Sequence, residues 1–235
     1  MKEYKLFLQE NAAVISIFLF FLVVLLFFTI SADAFLTKRN LLNLIRQSAP
    51  ILISAFAMTF VITTKGIDLS IGSTLAITNA LCAILLQNEI NWIVVLISLC
   101  LLGLCIGGVQ GYFIAFEKIP AFIVTLAAMS IVRGLALLMT EGFTIPIDGT
   151  ISIVTIGRGW ALGIPIPAII TFFLFILCFI VFEHTTYGKY VTGIGSNEES
   201  VRRSGVNVNL YIMSTYMLCG LCAAIGGIII AGRLG

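Results

Sequence analysis

Charge is what this chain has least of. Asp, Glu, Lys and Arg together make up 10% of its 235 residues, against about 25% in an average soluble domain. Thirteen basic and eleven acidic side chains cannot solvate the surface of a globule this size. A net charge of +2 is no electrostatic footprint for a polyanion, so nucleic acid is excluded as a partner. There is one histidine, His184, with no second cluster of candidate ligands, which argues against zinc catalysis and leaves no expected metal site. Disorder is excluded too, because disordered chains are poor in apolar residues and here those residues make up 60%. What remains is a polytopic membrane protein.

The apolar residues come in long runs, and a helix needs about 20 of them to cross the hydrocarbon core. The runs are Ala12 to Ile30, Ala49 to Thr64, Ile71 to Leu86, Trp92 to Phe116, Ala121 to Thr140, Ile164 to Phe182 and Tyr211 to Ala231. They predict an all-α transmembrane bundle of about seven spans, one domain over residues 1–235, with little left for extramembrane structure. The first run follows Lys2 and Lys5 and precedes a small-x-small Ala32-Asp33-Ala34, as a signal peptide does. Signal h-regions run only about 7–15 residues, so a retained anchor is expected. With a cytoplasmic amino terminus, Lys2, Lys5, Lys65, Lys118, Lys189, Arg202 and Arg203 lie inside, and Lys38, Arg39, Arg46 and Arg158 lie outside. That balance follows the positive-inside rule.

All six cysteines, at 82, 100, 105, 178, 219 and 222, fall inside predicted spans, where Cys behaves as a small hydrophobe. Glycine says more. Gly103, Gly107 and Gly111 recur every four residues, a tandem small-xxx-small face that lets another helix approach closely in lipid. Gly220 with Ala224, and Ala223 with Gly227 and Ala231, repeat the pattern in the last span.

The second and third runs have about 16 residues each, about 24 Å of a core near 30 Å thick. Short, Gly-interrupted segments point to broken helices that line a transport pathway. Between them, Asp68 is placed to cap the helix beginning near Ile71, with Ser70 and Ser73 as further polar groups. This elbow reads either as a plain cap or as part of a substrate path. Arg133 lies in the fifth span, where a central Arg costs at least about 2.5–3.5 kcal/mol on insertion scales. It reads either as a structural tie or as a substrate-pathway residue. The polar loop 183–210 contains a short helix with Asn197 as N-cap, Glu198 and Glu199 at its positive end, Arg202 and Arg203 at its negative end, and Gly205 as the stop. Both Glu–Arg pairs have the favourable i, i+4 order. So short a helix is marginal in water, and this capping suggests a piece that holds its shape in order to dock.

Several stretches resemble the ribose-type sugar permeases of bacterial ABC importers. They are Gly66-Ile67-Asp68-Leu69-Ser70-Ile71-Gly72-Ser73, Ile119-Pro120-Ala121-Phe122-Ile123-Val124-Thr125-Leu126, Tyr187-Gly188-Lys189-Tyr190, and Gly193-Ile194-Gly195-Ser196-Asn197-Glu198-Glu199-Ser200 followed by Ser204-Gly205-Val206. Their order and spacing match as well, over about Asn40 to Gly235. The resemblance implies a multi-pass bacterial inner-membrane subunit that is not itself an enzyme. Its partners would be a second permease subunit, a periplasmic solute-binding protein and a cytoplasmic ATPase that grips a coupling helix, here Asn197 to Ser204. ATP would be used by that ATPase, in keeping with the absence of a G-x-x-x-x-G-K-[ST] loop, and no cofactor is expected. Two departures stand out: the usual double glycine before Ile-Asp-Leu-Ser is Lys65-Gly66, and related permeases continue through further helices beyond Gly235. The alternatives are a truncated, regulatory or assembly subunit, or a permease for another small solute such as a nucleoside or autoinducer.

Overall fold

A computed structural model of the chain describes residues 12–149 and 152–234. Lys2 and Lys5, counted above for orientation, lie outside the described residues. These residues form nine helices and one short hairpin, and they divide after Ile45 into two units. Each unit is described by itself.

The first unit holds α1 (Ala12–Ser31) and the start of α2 (Lys38–Thr63). Helix α1 is apolar on every side and none of Val14–Ser31 is buried, the pattern of a helix that meets lipid. In the turn that follows, the Phe35 ring stacks on Phe28 at 5.7 Å, and the Asn40 amide donates to the Phe35 carbonyl at 2.8 Å.

Helix α2 corrects the expectation of two short spans. It runs for 26 residues, starting eleven residues before the apolar run that marked it. Lys38, Arg39, Asn40, Asn43, Arg46 and Gln47 interrupt the hydropathy of this segment without interrupting its backbone. Pro50 does not end the helix either; Ser54 donates its hydroxyl to the Pro50 carbonyl at 3.0 Å. Only α3 (Ile71–Gln87) is short, with 17 residues, about 25 Å of rise.

In the second unit, α9 (Val208–Leu234) is the axis, with 61% of its most apolar window buried against 17% for α5 (Ala121–Thr140) and 11% for α7 (Ile166–His184). Small residues make this possible. A Cβ built on Gly107 of α4 (Trp92–Ala115) would lie 2.1 Å from the Tyr216 carbonyl oxygen, and one on Gly103 would lie 2.3 Å from that of Gly220. Gly111 meets the Met213 backbone in the same way, at 2.8 Å. Another stripe of α9 serves α3, where a Cβ on Gly227 would reach the Thr78 hydroxyl at 2.0 Å. Helix α2 adds Ile53, Ala57 and Val61 to a cluster with Tyr216, Cys219, Cys222 and Ile229. Six described helices are long and apolar enough to cross a membrane, and α3 is the shorter seventh.

Two elements in the 141–165 stretch were not expected. The short helix α6 (Ser152–Arg158) lies against the end of α9, with the Arg158 Nε donating to the Arg233 carbonyl at 2.8 Å. It is followed by a hairpin, β1 (Trp160–Ala161) on β2 (Ile164–Pro165), whose turn places Leu162 and Gly163 both at positive φ. Such a two-residue turn is the usual hairpin closure. At the other end of the chain, the polar loop is largely helical: α8 (Thr186–Arg203) includes 186–196, which the sequence left outside any helix.

Candidate functional site

The elbow between α2 and α3 is a buried polar knot. Helix α2 ends in a Schellman closure: the Lys65 N–H donates to the Ile62 carbonyl and the Gly66 N–H to the Val61 carbonyl, both at 2.9 Å. Lys65 takes the left-handed conformation at φ 61, the place where glycine is usual. So the elbow forms with one glycine instead of two. The glycine it keeps is the one that close approach demands, since a Cβ on Gly66 would lie 2.4 Å from the Tyr216 hydroxyl oxygen. Asp68 then turns the chain. Its Oδ1 accepts the Ser70 N–H at 2.8 Å and the Ser70 hydroxyl at 2.7 Å. The Ser70 oxygen in turn accepts from Nε2 of Gln110, on α4, at 2.8 Å, and the Tyr216 hydroxyl of α9 donates to the Ile67 carbonyl at 3.5 Å.

This corrects the reading of Asp68 as the cap of α3. Ser70 occupies the N-cap position, and the carboxylate binds Ser70 rather than the N–H groups of the first turn. Asp68, Ser70, Ser73 and Gln110 are all at least 95% buried. A carboxylate held so deeply needs its hydrogen bonds, and with the Tyr216 bond they tie α3, α4 and α9 at one level. Gln110 was not singled out from the sequence. Its signal was a lone amide inside an apolar, glycine-rich span.

Arg133 lies apart from this knot. It lines a cavity of about 330 Å³ together with Asn79 and Ala80 of α3, Thr140 of α5, Phe143 and Ala231 of α9. Asn79 too was missed, although it is the same kind of signal as Arg133.

The capped helix is built as its sequence suggests. The α8 backbone breaks at Asn197 (φ −152, ψ 94) and restarts, and the Asn197 Oδ1 accepts the Ser200 N–H at 3.0 Å. Arg202 pairs with Glu198, Arg203 pairs with Glu199 at 3.0 Å, and Gly205 closes the helix at φ +85. The half of α8 before the break has no room beneath it. A Cβ on Gly188 would lie 1.8 Å from the Phe182 carbonyl oxygen, and one on Gly195 would lie 1.8 Å from that of Thr63. Helix α8 is therefore seated directly on the ends of α7 and α2, two residues short of the Lys65 turn. Lys118, between α4 and α5, completes the arrangement: its ammonium lies 3.6 Å from Glu198 and donates to the Asn209 Oδ1 at 3.0 Å. Tyr187 hydrogen-bonds Ser214 at 2.8 Å. Burial pushes the Tyr187 phenol above its ordinary pKa, against the opposing effect of that bond, and Tyr211 adds to the rise. Beside α8, Glu183, Lys189, Thr192 and Ser196 line an open groove of about 700 Å³.

A family model described as "Branched-chain amino acid transport system / permease component" matches residues 40–235. The chain is 36% identical over 203 residues to the ribose import permease protein RbsC of Haemophilus influenzae, covering 85% of this chain and 63% of that protein. It is 38% identical over 217 residues to RbsC of Bacillus subtilis, covering 92% and 67%. It is 35% identical over 193 residues to the galactofuranose transporter permease protein YtfT of Escherichia coli K12, covering 82% and 56%. The chain thus spans about two thirds or less of the length of these relatives. No solved structure matches it.

Proposed function

The chain belongs to the branched-chain amino acid transport system / permease component family, and from that premise we propose that it is the membrane-spanning permease subunit of a bacterial ABC importer for a monosaccharide. The family and the six long apolar helices make it a multi-pass inner-membrane protein. In the orientation proposed here the amino terminus is cytoplasmic, which places Lys65, Lys118, α8 and its five charged residues on the ATPase side. A sugar is favoured over other solutes because the relatives are named for ribose and galactofuranose. The partners are a cytoplasmic ABC ATPase, which carries out the hydrolysis, a periplasmic solute-binding protein and a second permease subunit.

The observation that carries this reading is the break at Asn197 and what lies on either side of it. Beyond the break, the helix from Glu198 to Arg203 is pre-shaped by its cap and two ion pairs, as a docking element requires, because little ordering is left for the moment of contact. Before the break, α8 rests backbone to backbone on α2 and α7 through Gly195 and Gly188. Gly195, two residues before the break, meets the backbone of Thr63, which stands two residues before the Lys65 turn, so a push on the helix beyond the break is passed to the end of α2. Lys118 offers a second route, to the start of α5. Packed elements of this kind move as units rather than deform continuously. Asp68, Ser70 and Ser73 are thereby assigned to the hinge of the pathway, and Arg133 to its wall.

Co-purification tests the reading. The chain, solubilised from membranes with a co-expressed ABC ATPase, should retain the ATPase, and Glu198→Ala combined with Arg202→Ala should release it. Retention unaffected by both substitutions would contradict the assignment of α8 as the coupling element.

A further inference from the structure

Arg133 is an expensive residue to keep in a membrane helix, yet no hydrogen bond or ion pair from another described residue engages its guanidinium. Arg133 is exposed on α5; an intramembrane Arg without such a pair faces a water-filled cavity or a partner, and the polar residues across its cavity, Asn79, Thr140 and Thr144, set the chemistry it meets there. Asn79, half-buried on the facing side of α3, has no hydrogen-bond partner among the described residues either. The Thr140 hydroxyl is turned away, donating to the Ala136 carbonyl at 3.0 Å. Much of the remaining wall is alanine (Ala76, Ala80, Ala83, Ala136 and Ala231), so the space is kept open by small side chains rather than left by poor packing. At about 330 Å³ it falls at the low end of small-molecule pockets, about 300–1,000 Å³.

We propose that Arg133 and Asn79 form a solute subsite that holds a neutral polyhydroxylated molecule of monosaccharide size. This rests on the permease reading and deepens it by naming the residues that select the solute. The guanidinium supplies only donors, in a planar fork that spans two adjacent hydroxyl oxygens, while the amide both donates and accepts. A polyol supplies donors and acceptors in matching order. An α-amino acid fits less well, although the family description mentions one: its carboxylate would pair with Arg133, but no described residue lining the cavity is acidic, so its ammonium group would have no counter-charge there. In the orientation proposed above, the subsite lies in the outer half of the membrane, since α5 runs outward from Ala121 to Thr140.

The test uses the full chain carrying Thr140→Cys in lipid nanodiscs, with a membrane-impermeant thiol reagent and the chain without the added cysteine as background. The reagent should label Cys at this position, and D-ribose or D-galactose should slow labelling about threefold at about twice the dissociation constant, since the rate falls as 1 + [L]/Kd. L-leucine should not slow it. Arg133→Gln or Asn79→Ala should each remove the sugar protection, read as the ratio of that variant's own labelling rates with and without sugar. Absence of labelling, protection by leucine in place of sugar, or sugar protection that survives both substitutions would each overturn the subsite. Retention of the ATPase by the same Thr140→Cys chain is measured in parallel. A chain that holds the ATPase yet shows no sugar protection sinks the subsite alone and leaves the permease reading standing.

Discussion

Replacing Gly107 by alanine adds one methyl group where the backbones of α4 and α9 touch. The new Cβ would lie 2.1 Å from the Tyr216 carbonyl oxygen and 2.7 Å from its carbon, well inside the 3.0 Å that real Cβ contacts respect. No rotamer change relieves a clash with backbone, so α9 must retreat by about 1 Å. That helix is packed by α2, α3, α4 and α6, and its Tyr216 hydroxyl reaches the Ile67 carbonyl of the elbow at 3.5 Å. We therefore place the cost at the upper end for overpacking, about 3 kcal/mol. Removing a glycine from a helix returns about 1 kcal/mol, which leaves a net loss of about 2 kcal/mol. For a chain of this size that corresponds to about 4–8 °C in Tm. The buried free thiols of Cys82, Cys219 and Cys222 are built-in reporters, since a fluorogenic maleimide reacts with them only as the detergent-solubilised protein unfolds. Gly134→Ala is the control. The chemical change is the same, but a Cβ there has nothing within 4 Å, so its Tm should rise by about 2–4 °C. A Gly107→Ala protein as stable as the parent, or a Gly134→Ala protein that falls with it, would mean that the backbone contact of α4 with α9 does not hold the two helices together.

Three further outcomes are expected. Asp68→Ala leaves the buried Ser70 N–H without its acceptor, and the Ser70 hydroxyl with only the Gln110 Oε1 at 3.0 Å, and should cost about 1–3 kcal/mol, whereas Asp68→Asn keeps an acceptor oxygen and should fall well short of that; thermal unfolding of the pair separates them. Asn197→Ala removes the cap on the Ser200 N–H and should weaken the helix from Glu198 to Arg203 by about 1 kcal/mol, read as faster hydrogen exchange over residues 198–204 with the rest of the chain unchanged. Lys118→Ala loses an exposed ion pair, worth at most about 1 kcal/mol, so stability should hold while sugar transported per ATP hydrolysed falls; an unchanged ratio would remove Lys118 from the coupling path.

The parts of this structure that were legible in the sequence are those written in periodicity and local chemistry. Helix α5 begins and ends at the residues its apolar run marked, because Pro120 sets its start and the run ends where the helix does. The helix at Asn197 could be read from cap, charges and stop because all of its determinants are local. The spacing of Gly103, Gly107 and Gly111 is readable as a close-packing face, and that face meets α9. What escaped depended on partners far along the chain. The first three turns of α2 are polar, and their helicity is not a hydropathy signal. Residues 186–196 looked like loop because Gly188, Gly193 and Gly195 lower helix propensity, yet Gly188 and Gly195 are there for the close approach of Phe182 and Thr63. Lys65 looked like a defect in a glycine pair, and proves to occupy the left-handed position of a Schellman closure. Gln110, Asn79 and Lys118 become informative only once the fold places Ser70, Arg133 and Glu198 beside them or across from them.

Sugar transport by this chain at the expense of a partner's ATP hydrolysis is what we propose. Its most direct test is uptake of radiolabelled D-ribose into proteoliposomes holding the full chain and its ABC ATPase, with the solute-binding protein outside and ATP inside. Saturable accumulation is expected, requiring both ATP and the binding protein and lost when Glu198 and Arg202 are both replaced by Ala. ATP hydrolysis by an assembled complex with no accumulation of D-ribose or any other monosaccharide would contradict it.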